Sequence, residues 1–503
     1  MPGYPRPRSV RPVPLADLAA VADAAPLVLP AEVTVTGITH SSQAVRPGDL
    51  YAALPGARTH GAAFAAAAVA AGAVAILTDP AGLTQAEASG VPTLCVPDPR
   101  KVLGHVASRV YGVPTEHLTV IGITGTAGKT STVHLVDAGL RAAGKVTGLI
   151  GTVGTRLGDL AIEGERTTPE APDLQALFAA AVEQGVEAVT MEVSSHALQL
   201  ERVGGVHFAV GGFTNLGLDH LDFHADVQEY FEAKARLFDG RSDIAIVNGD
   251  DPKGRLLVRP GTQTFSLDKD SDATWRAVDL APLPYGQSFT VLGPDGVSVA
   301  AEVSPPGRHN VANALLAIAV LVAVGVSADV AAKAVAEAGG APGRMERVRA
   351  PGPVIGVVDY AHKPDAIVEV LAALREFAGS HRVICVIGAG GDRDRQKRPL
   401  MGAAAARGAD IVLVTDDNPR TEDPARIRAE VMAGVTATPG TNVIEIVHRD
   451  AAIAEAVAMA EAGDVVALLG KGHETGQEIN GVMHPFDDRV ELAKALAARF
   501  GER

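Results

Sequence analysis

The stretch Thr119-Val-Ile-Gly-Ile-Thr-Gly-Thr-Ala-Gly-Lys-Thr130 decides the fold class of this chain. Its first part, residues 119–123, is a short apolar run typical of a buried β-strand. Gly125 and Gly128 then predict a tight loop, and residues 131–143 predict a helix. A strand, a glycine loop and a Lys-Thr pair at a helix start together predict a nucleotide-binding α/β domain.

The loop has the chemistry that a phosphate group needs. Backbone N–H groups of a glycine loop approach phosphate oxygens closely, and the helix N-terminus adds partial positive charge. Lys129 can reach the β- and γ-phosphates, and the Thr130 hydroxyl can ligate Mg²⁺. The spacing departs from the general GxxxxGK[ST] pattern, because position 123 is isoleucine. The loop alone does not separate an ATPase from a GTPase or a ligase, and a plain turn before a helix is the alternative.

Apolar strands alternate with alanine-rich helices along almost the whole chain, which favours α/β domains with largely parallel sheets. At about 100–200 residues per domain, 503 residues indicate about three domains. Residues 260–305 are rich in Pro, Gly, Asp and Thr and predict a β-rich region. A Gly/Pro cluster at 339–343 and the segment 350–353 indicate a linker. A second alternation follows, with predicted strands at 354–359, 382–388, 410–415, 443–447 and 464–469.

Charge and composition exclude several classes of protein. With 47% apolar and 20% charged residues, the chain is an ordinary globular protein with a sizeable core. A net charge of −15 argues against a protein built around a nucleic-acid backbone or an anionic membrane surface. The apolar run 311–324 is shorter than the ~20 residues of a spanning helix. We therefore expect a soluble protein with no nucleic-acid or membrane partner.

The two cysteines, Cys95 and Cys385, both lie in apolar runs, so we expect buried free thiols, as in a reducing cytoplasm. The N-terminus is rich in Pro and Arg and has no apolar segment of a secretory signal. Residues 1–14 are predicted to form a loose tail.

Further motifs resemble one family in a constant order. The sequence Thr-Gly-Thr-x-Gly-Lys-Thr is the variant loop of the Mur ligases and the folylpolyglutamate synthases. The other segments that resemble the Mur ligases lie at 191–196, 215–222, 234–238, 308–314, 343–346, 359–364, 391–395, 417–420 and 470–474. The resemblance implies an α/β fold of three domains, with a central P-loop ATPase sheet and a C-terminal Rossmann-like domain. These are a UDP-MurNAc-binding domain (1–118), an ATP-binding domain (119–347) and an amino-acid-binding domain (348–503).

The resemblance also implies a reaction. It indicates an ATP-dependent amide ligase of peptidoglycan synthesis that adds meso-diaminopimelate to UDP-N-acetylmuramoyl-L-alanyl-D-glutamate through an acyl phosphate. The implied setting is a bacterial cytoplasm, the implied partners are these small-molecule substrates, and the implied state is a monomer. Two alternatives remain: a family member that uses L-lysine or another acceptor, and a nucleotide-binding regulator without turnover.

Metal ligation is predicted at four positions. Glu192 follows the predicted strand 186–191, where a sheet presents ligands, and it can bind Mg²⁺ beside Thr130. A helix cap or an exposed acid is the alternative for Glu192. Two His and two Asp within 219–224 could suggest zinc, but no third ligand group has metal spacing. The resemblance assigns His220 to a second Mg²⁺.

Lys234 lies among apolar residues, which disfavours its ammonium form, and only the neutral amine reacts with CO₂. The resemblance implies that Lys234 is carbamylated and that the carbamate helps to place Mg²⁺. A surface lysine with its stem along apolar neighbours is the alternative. The implied catalytic set is Lys129, Glu192, His220 and Lys234.

The remaining implied sites bind substrates. The ATP contacts are Gly125, Thr126, Ala127, Gly128, Lys129, Thr130, Ser131, Asn310, Asn313, Arg344 and Asp359. The uridine-side contacts are His40, Ser42, Ala57, Arg58 and Thr59, where Ser41-Ser42-Gln43 replaces the Asp-Ser-Arg of the family. The muramoyl-dipeptide contacts are Thr167, Thr168, Ser194 and Arg202.

The motif Asp417-Asn418-Pro419-Arg420 predicts which amino acid is added. Diaminopimelate differs from lysine by a second, distal carboxylate, which a guanidinium can bind bidentately. Lysine would leave that arginine without its carboxylate and should be rejected. A plain Asp-Asn-Pro turn is the alternative. The other implied contacts of diaminopimelate are Arg393, Gly470 and Glu474, of which Glu474 pairs with an ammonium group.

Overall fold

The computed structural model describes residues 4–24, 32–56, 58–162, 164, 166–220, 223–440 and 442–501. The chain divides into two compact units. The first unit contains residues 1–278, 291–299 and 312–335, and the second contains 279–290, 300–311 and 336–503. The α/β class is confirmed, whereas the predicted domain boundaries at 118 and 347 stay a prediction.

The N-terminal part of the first unit is built on a parallel sheet with the strand order β3-β4-β5-β6. Its apolar residues, such as Leu50, Leu77 and Leu94, form a buried core with α1 and α4. The elements are β1 (Val13–Pro14), α1 (Leu15–Val21), β2 (Thr34–Val35), β3 (Gly37–Thr39), β4 (Asp49–Ala52), α2 (Ala65–Ala70), β5 (Ala75–Thr78), α3 (Leu83–Glu87), β6 (Thr93–Cys95) and α4 (Pro99–Val110).

The N-terminal segment is not a loose tail from residue 4 onward, so that prediction was wrong. Strand β1 pairs with β2, and the Arg6 guanidinium donates to both carboxylate oxygens of Asp49 at 2.7 and 2.8 Å. The backbone N–H groups of Arg8 and Ser9 donate to the Glu183 carboxylate. Because Asp49 is buried, its charge needs a cation, and Arg6 supplies it.

The central part of the chain surrounds the strand of the phosphate motif, and its residues 279–290, 300–311 and 336–337 belong to the second unit. The elements that follow α4 are β7 (Thr119–Thr124), α5 (Lys129–Ala142), β8 (Thr147–Gly151), β9 (Gly154–Leu157), β10 (Leu160–Ile162), α6 (Ala171–Glu183), β11 (Ala188–Glu192), α7 (Ser195–Gln199), β12 (Phe208–Phe213), α8 (Val227–Ala235), β13 (Ser242–Asn248), α9 (Pro252–Arg255), β14 (Gln263–Ser266), β15 (Trp275–Leu283), β16 (Gly286–Leu292), β17 (Ser298–Val303), α10 (Arg308–Ala323) and α11 (Ala328–Glu337). The strand order is β10-β9-β8-β11-β7-β12-β13-β14, followed by β15-β16-β17.

Strand β7 lies between the parallel strands β11 and β12. Its residues 120–124 are buried, so its side chains are covered on both faces of the sheet, which explains the apolar Val120, Ile121 and Ile123. The predicted strand, loop and helix are confirmed, although α5 begins at Lys129 rather than at residue 131. The helix begins earlier because Gly128, at φ 85°, supplies the left-handed turn before it. The predicted β-rich region at 260–305 is confirmed by β14 to β17.

The C-terminal part of the second unit contains a six-stranded sheet with the order β18-β19-β23-β20-β21-β22. Its strands are parallel except for the edge strand β18. Alternate residues of β20 enter two separate cores, Cys385 and Ile387 on one face and Ile384 and Val386 on the other. The elements are β18 (Glu346–Val348), β19 (Ile355–Asp359), α12 (Pro364–Ala378), β20 (Val383–Ile387), α13 (Lys397–Gly408), β21 (Ile411–Val414), α14 (Pro424–Thr436), β22 (Asn442–Glu445), α15 (Arg449–Met459), β23 (Val465–Leu469), β24 (Gly476–Ile479), β25 (Val482–Pro485) and α16 (Asp488–Phe500).

The two cysteines are free thiols in different surroundings. Cys385 is buried, and burial raises the pKa of its thiol to about 12. Cys95 is only half-buried, which corrects the expectation for this residue. It ends β6, an edge strand, so one side of it lacks a neighbouring strand. In the described part of the chain, none of the helices combines the length and the apolar character that crossing a bilayer would need.

Candidate active site

The phosphate loop, residues 125–130, is held by two residues that follow β12. The Thr214 hydroxyl donates to the Ala127 carbonyl at 2.6 Å. The Asn215 amide oxygen accepts from the Ala127 N–H at 3.0 Å, and its Nδ2 donates to the Ala127 carbonyl. A Cβ on Gly125 would lie 1.9 Å from the Thr214 hydroxyl, so the loop requires glycine there. Thr214 and Asn215 were not predicted as site residues, although the motif at 215–222 includes Asn215.

Lys129 and Thr130 point toward different parts of the site. Lys129 Nζ donates to the carbonyl oxygens of Gly125 and Thr126 at 2.9 and 3.0 Å, so it folds back over the phosphate loop. The Thr130 hydroxyl donates to Glu192 Oε1 at 3.0 Å. Ser131 follows in the first turn of α5. The structure therefore brings together the loop lysine, the hydroxyl and the carboxylate.

Glu192 is the last residue of β11 and is 1% exposed. It is neither a helix cap nor an exposed acid. Besides Thr130, its carboxylate accepts from the N–H of Thr152 at 2.8 Å and from the Thr152 hydroxyl at 3.3 Å. Thr152 follows β8, and nothing in its local sequence marks it as a site residue. These donors orient the carboxylate in a buried place.

Lys234 lies next to the phosphate loop. Its side chain is 1% exposed, which excludes the alternative of a surface lysine. Nζ donates to the Gly125 carbonyl at 2.8 Å and lies 4.5 Å from the centre of the Tyr230 ring. The Tyr230 hydroxyl in turn shares a hydrogen bond with Thr126 Oγ1 at 3.0 Å. Burial raises the pKa of Tyr230, so this hydroxyl stays protonated.

His220 belongs to a cluster of aromatic rings. Its ring meets that of His196 edge to face, with centroids 4.6 Å apart, and its Nε2 lies 3.3 Å from Asp219. His224 is buried, and its Nε2 is 3.1 Å from the Ser195 hydroxyl, so this side chain is not exposed to solvent. Asp222 lies outside the described residues. Among the residues that are described, no group of three or more His, Cys, Asp or Glu is placed so that it could hold a metal ion.

The predicted dipeptide contacts surround the end of β11. The Thr168 hydroxyl donates to the Glu192 carbonyl at 2.9 Å and accepts from the Ser194 N–H at 3.2 Å. Thr167 shares a hydrogen bond with Thr152 at 3.0 Å. The structure therefore places these hydroxyl groups beside Glu192.

Arg202, another predicted dipeptide contact, is held in place by an acidic residue. Its guanidinium pairs with Glu170 at 3.0 Å, and Glu170 also binds Arg166 and lies 3.7 Å from Arg100. The Nε atom of Arg202 is buried and makes no hydrogen bond to any described residue. Burial lowers the pKa of Arg202, and Glu170 counters this effect. No feature of the local sequence predicted the role of Glu170.

Three of the five predicted uridine-side residues lie at a separate cavity of about 360 Å³. His40, Ser42 and Thr59 line it, and Nδ1 of His40 is buried without a hydrogen bond to a described residue. Arg58 is exposed and does not line the cavity, and Ala57 lies outside the described residues. Lining residues that were not predicted are Tyr51, Phe64 and Arg100.

The predicted ATP contacts outside the loop belong to both units. In the first unit, a Cβ on Gly128 would lie 2.3 Å from Asn313 Oδ1, so this amide touches the phosphate loop. In the second unit, Asn310 Nδ2 donates to the Pro306 carbonyl at 2.8 Å.

Asp359 and Arg344 lie together in the second unit. Asp359 accepts from the N–H groups of Met345 and Ala361 at 2.7 and 2.6 Å. The Arg344 guanidinium stacks 4.7 Å from the centre of the Tyr360 ring. Burial raises the pKa of Asp359, and the Arg344 charge and the two N–H donors oppose that rise.

Three segments of the second unit follow adjacent parallel strands and meet at the carboxyl edge of the sheet. We call them the amino-acid loops: residues 390–393 after β20, 417–420 after β21 and 470–474 after β23. The Gly391 N–H donates to the Asn418 carbonyl at 2.8 Å, and a Cβ on Gly391 would lie 1.9 Å from the Pro419 carbonyl. A Cβ on Gly470 would lie 2.8 Å from Asp417 Oδ2. All predicted diaminopimelate contacts are in these loops.

The amino-acid loops carry alternating charges. Asn418 Nδ2 donates to Glu474 Oε2 at 2.8 Å. Lys471, which is completely buried, donates to the Asn418 amide oxygen, to Glu474 and to the Gly476 carbonyl. The Arg420 guanidinium donates through Nη1 to the Gly391 carbonyl at 2.7 Å. Arg393 is exposed nearby, with its stem beside the same glycine turn. Lys471 was not predicted, although it lies inside a predicted motif.

Two buried arginines form ion pairs that support the amino-acid loops. Arg398 is completely buried and binds Glu422 and Glu430, and its Nη2 also donates to the Gly390 carbonyl at 3.1 Å. Arg449 pairs with Asp488, both 0% exposed, and donates to the Leu469 carbonyl just before Gly470. These contacts join the loops to the helices behind them.

Comparisons with known proteins agree with this geometry. Three family models match in succession: "Mur ligase family, catalytic domain" at 34–111, "Mur ligase middle domain" at 123–321 and "Mur ligase, glutamate ligase domain" at 343–472. A protein of Streptomyces avermitilis named UDP-N-acetylmuramoyl-L-alanyl-D-glutamate–2,6-diaminopimelate ligase is 52% identical over 98% of each chain. A protein of Corynebacterium glutamicum with the same name is 47% identical over 90% of each chain.

Solved structures extend the likeness to the fold. A structure titled with that same ligase name has a TM-score of 0.71 and 33% identity, and the match covers 97% of this chain and 99% of that one. The MurF ligase of Thermotoga maritima in complex with ADP has a TM-score of 0.60 at 18% identity, which shows the fold alone. That match covers 92% of this chain and 99% of the other. The resemblance that the motifs suggested is confirmed, and this chain belongs to the Mur ligase family.

Proposed function

We propose that this chain is the ATP-dependent ligase that adds meso-diaminopimelate to UDP-N-acetylmuramoyl-L-alanyl-D-glutamate in peptidoglycan synthesis. The observation that carries the proposal is the 52% identity over 98% of a protein of that name. That likeness spans both the phosphate loop and the amino-acid loops. In each of these two regions, the side chains that lie together have charges and hydrogen-bonding groups that suit the proposed ligand.

In the first half of the reaction, the D-glutamate carboxylate attacks the γ-phosphate of ATP, and ADP leaves. Both reactants are anions, so the protein must mainly neutralise charge and align them. Lys129 lies over the phosphate loop, whose N–H groups bind phosphate oxygens. Asn310, Asn313, Arg344 and Asp359 are proposed ATP contacts. Thr167, Thr168, Ser194 and Arg202 hold the dipeptide, and the His40 cavity holds the uridine end.

The donors beside the phosphate loop fit Mg²⁺, which prefers oxygen ligands. The Thr130 hydroxyl and the buried Glu192 carboxylate lie within hydrogen-bonding distance of each other, and His220 and Lys234 are the other proposed ligands. A carbamate formed on Lys234 from CO₂ retains one N–H, which can keep the bond to the Gly125 carbonyl. Bound Mg²⁺ would supply positive charge to the phosphate oxygens.

In the second half, an amine of diaminopimelate attacks the acyl phosphate carbonyl, and phosphate leaves. The amino-acid loops hold the far end of this substrate. Arg420 binds the distal carboxylate, together with Arg393, Asp417, Asn418 and Gly470, and Glu474 pairs with an ammonium group. Lysine lacks the distal carboxylate and leaves the Arg420 guanidinium without that partner, so it reacts poorly.

The proposed setting follows from the substrates. ATP and a nucleotide-linked precursor are cytoplasmic compounds, and we place the enzyme in the bacterial cytoplasm as a monomer. With a net charge of −15, it has no general attraction for nucleic acid or anionic lipid.

Phosphate release from ATP and Mg²⁺ with the UDP-linked dipeptide tests the proposal. We expect release with meso-diaminopimelate and little with L-lysine. Equal or faster release with L-lysine would indicate a lysine-adding member of the family. No release with either amino acid, despite nucleotide binding, would point to a regulator.

A further inference from the structure

Glu478 contacts Arg420, the residue proposed to bind the amino-acid substrate, and is placed to bind the same substrate. We propose that Glu478 binds the ammonium group on the distal carbon of the diamino acid, while Arg420 binds the carboxylate on the same carbon. This inference rests on the proposed function and adds a specificity-determining residue to it.

The position of Glu478 is fixed by its backbone. It lies in β24, which forms a hairpin with β25. Its N–H donates to the Asn418 amide oxygen at 3.0 Å, and its carbonyl accepts from the Arg420 N–H at 3.0 Å. Arg420 has a φ of 52°, and its carbonyl accepts from the Asn480 N–H. Strand β24 and the loop at 417–420 therefore form one hydrogen-bonded unit.

The side chains of Arg420 and Glu478 leave complementary atoms open. Glu478 Oε2 accepts from Arg420 Nε at 3.1 Å, and Arg420 Nη1 donates to Gly391. Within the described part of the chain, no hydrogen bond involves Nη2 of Arg420 or Oε1 of Glu478. The two side chains are 21% and 35% exposed, so a ligand can reach them. A donor and an acceptor of opposite charge thus lie side by side.

This pair matches the chemistry of the distal carbon. That carbon carries a carboxylate and an ammonium group, so both charges must be satisfied within a short distance. Because Glu478 engages Nε, the carboxylate can approach only through Nη1 and Nη2, the end of the guanidinium. The ammonium group then lies toward Oε1 of Glu478. A substrate with only one of the two charges leaves one protein group without its partner.

Glu474 is the other acid proposed to pair with an ammonium group, but its charge is shared with protein donors, which leaves a role for Glu478 at the same ammonium group. Its Oε2 accepts from Asn418 and from the buried Lys471. The amino-acid loops and β24 carry both signs of charge, from the acids Asp392, Asp417, Glu474 and Glu478 and the cations Arg393, Arg420 and Lys471. A zwitterionic group, which carries an ammonium and a carboxylate, needs protein groups of both signs.

The test pairs a change in the protein with the matching change in the substrate. The variant is Glu478→Gln, which keeps the size and an acceptor for Arg420 Nε but removes the charge. The substrates are meso-diaminopimelate and 2-aminopimelate, which keeps the distal carboxylate and lacks the distal ammonium group. The readout is kcat/KM from phosphate release with each substrate, and thermal unfolding checks that the variant is folded.

We expect the wild-type enzyme to prefer meso-diaminopimelate strongly. In Glu478→Gln, kcat/KM for meso-diaminopimelate should fall by about 10–100-fold, in the range of a lost charged hydrogen bond. The value for 2-aminopimelate should stay within about threefold of wild type or rise, so the preference shrinks. Glu478→Asp, which retains the charge, should keep a larger part of the preference.

Glu461→Gln is the matched control. Glu461 also pairs with an arginine, Arg382, at 3.3 Å, but it is exposed and precedes β23, at the opposite edge of the sheet. The variant Glu461→Gln should leave kcat/KM unchanged for both meso-diaminopimelate and 2-aminopimelate.

An equal loss for both substrates in Glu478→Gln would show that Glu478 acts only through Arg420, and an unchanged preference would show that it does not read the ammonium group. Either result would overturn the inference. Failure of the wild-type enzyme to use meso-diaminopimelate at all would instead overturn the proposed function.

Discussion

The phosphate loop and the amino-acid loops follow similar parallel strands, but different chemistry holds them in place. The phosphate loop is clamped by two neutral groups, the hydroxyl of Thr214 and the amide of Asn215, and Lys234 also donates to its Gly125 carbonyl. The amino-acid loops are held by charged groups, such as Lys471 with Glu474 and Arg398 with Glu422. The difference corresponds to the charge of the proposed ligands.

A neutral clamp adds no negative charge where ATP phosphates must bind, so the Lys129 charge acts on the ligand. A zwitterionic amino acid instead needs both signs of charge, and these can neutralise one another before the substrate arrives. The two regions should therefore respond differently to the loss of a charge and to acid.

The largest expected effect is on the stability of the second unit. Asp488→Ala leaves the buried Arg449 without its partner and should lower the free energy of unfolding by about 3–5 kcal/mol. Urea unfolding followed by circular dichroism measures this. The double variant Arg449→Met/Asp488→Leu should recover most of the loss, because it removes both charges.

Asp17→Ala is the control for this prediction. It breaks the exposed pair with Arg109 and should cost no more than about 1 kcal/mol. If Asp488→Ala lowered the free energy of unfolding by no more than this control does, the buried pair would not support the loops.

The second prediction concerns the phosphate loop. Lys129→Ala should lower kcat/KM for ATP-dependent phosphate release by about 10²–10³-fold, the usual effect of losing one group that stabilises a developing charge. The fold should be retained, since Thr214 and Asn215 hold the loop. Lys145→Ala, at an exposed pair with Glu187, is the control and should retain full activity. Full activity in Lys129→Ala would refute the assigned role.

The third prediction concerns the amino-acid loops. Arg420→Gln should lower kcat/KM for meso-diaminopimelate by about 10²-fold and largely remove its preference over L-lysine. The ratio of the two kcat/KM values measures this. Arg426→Gln, at an exposed arginine beside Glu430, should leave the ratio unchanged. A retained preference in Arg420→Gln would assign the distal carboxylate to another residue, such as Arg393.

The smallest expected effect is the pH dependence of a charged pair that supports the amino-acid loops. The Arg398 guanidinium holds the pKa of Glu422 at about 2, below its ordinary value of 4.5. The folded state therefore binds fewer protons, so this contribution is complete above pH 4.5 and is lost as pH falls toward 2. Thermal unfolding of wild type and Glu422→Gln between pH 6 and pH 3 should show a smaller pH dependence in the variant. Equal pH dependence would contradict the role of this pair.

Much of the fold was predictable from local sequence. The strands of the second alternation were predicted within one or two residues, because buried parallel strands are continuous apolar runs between glycine and proline signals. The phosphate loop was predictable for a similar reason, since its glycines, lysine and threonine are contiguous. The order of the strands was not predictable, and neither was the position of β23 between β19 and β20.

The features of the candidate site also fall into two groups, those that the sequence predicts and those that depend on the tertiary structure. The sequence alone determined the fold class, the family and the motif residues, because their chemistry is local and their order along the chain is characteristic. Only the tertiary structure decided which residues meet: Thr152 with Glu192, Tyr230 with Lys234, and Glu478 with Arg420. These partners come from distant strands and hairpins, and a hydrogen bond between them depends on the packing that brings the carboxyl ends of the strands together.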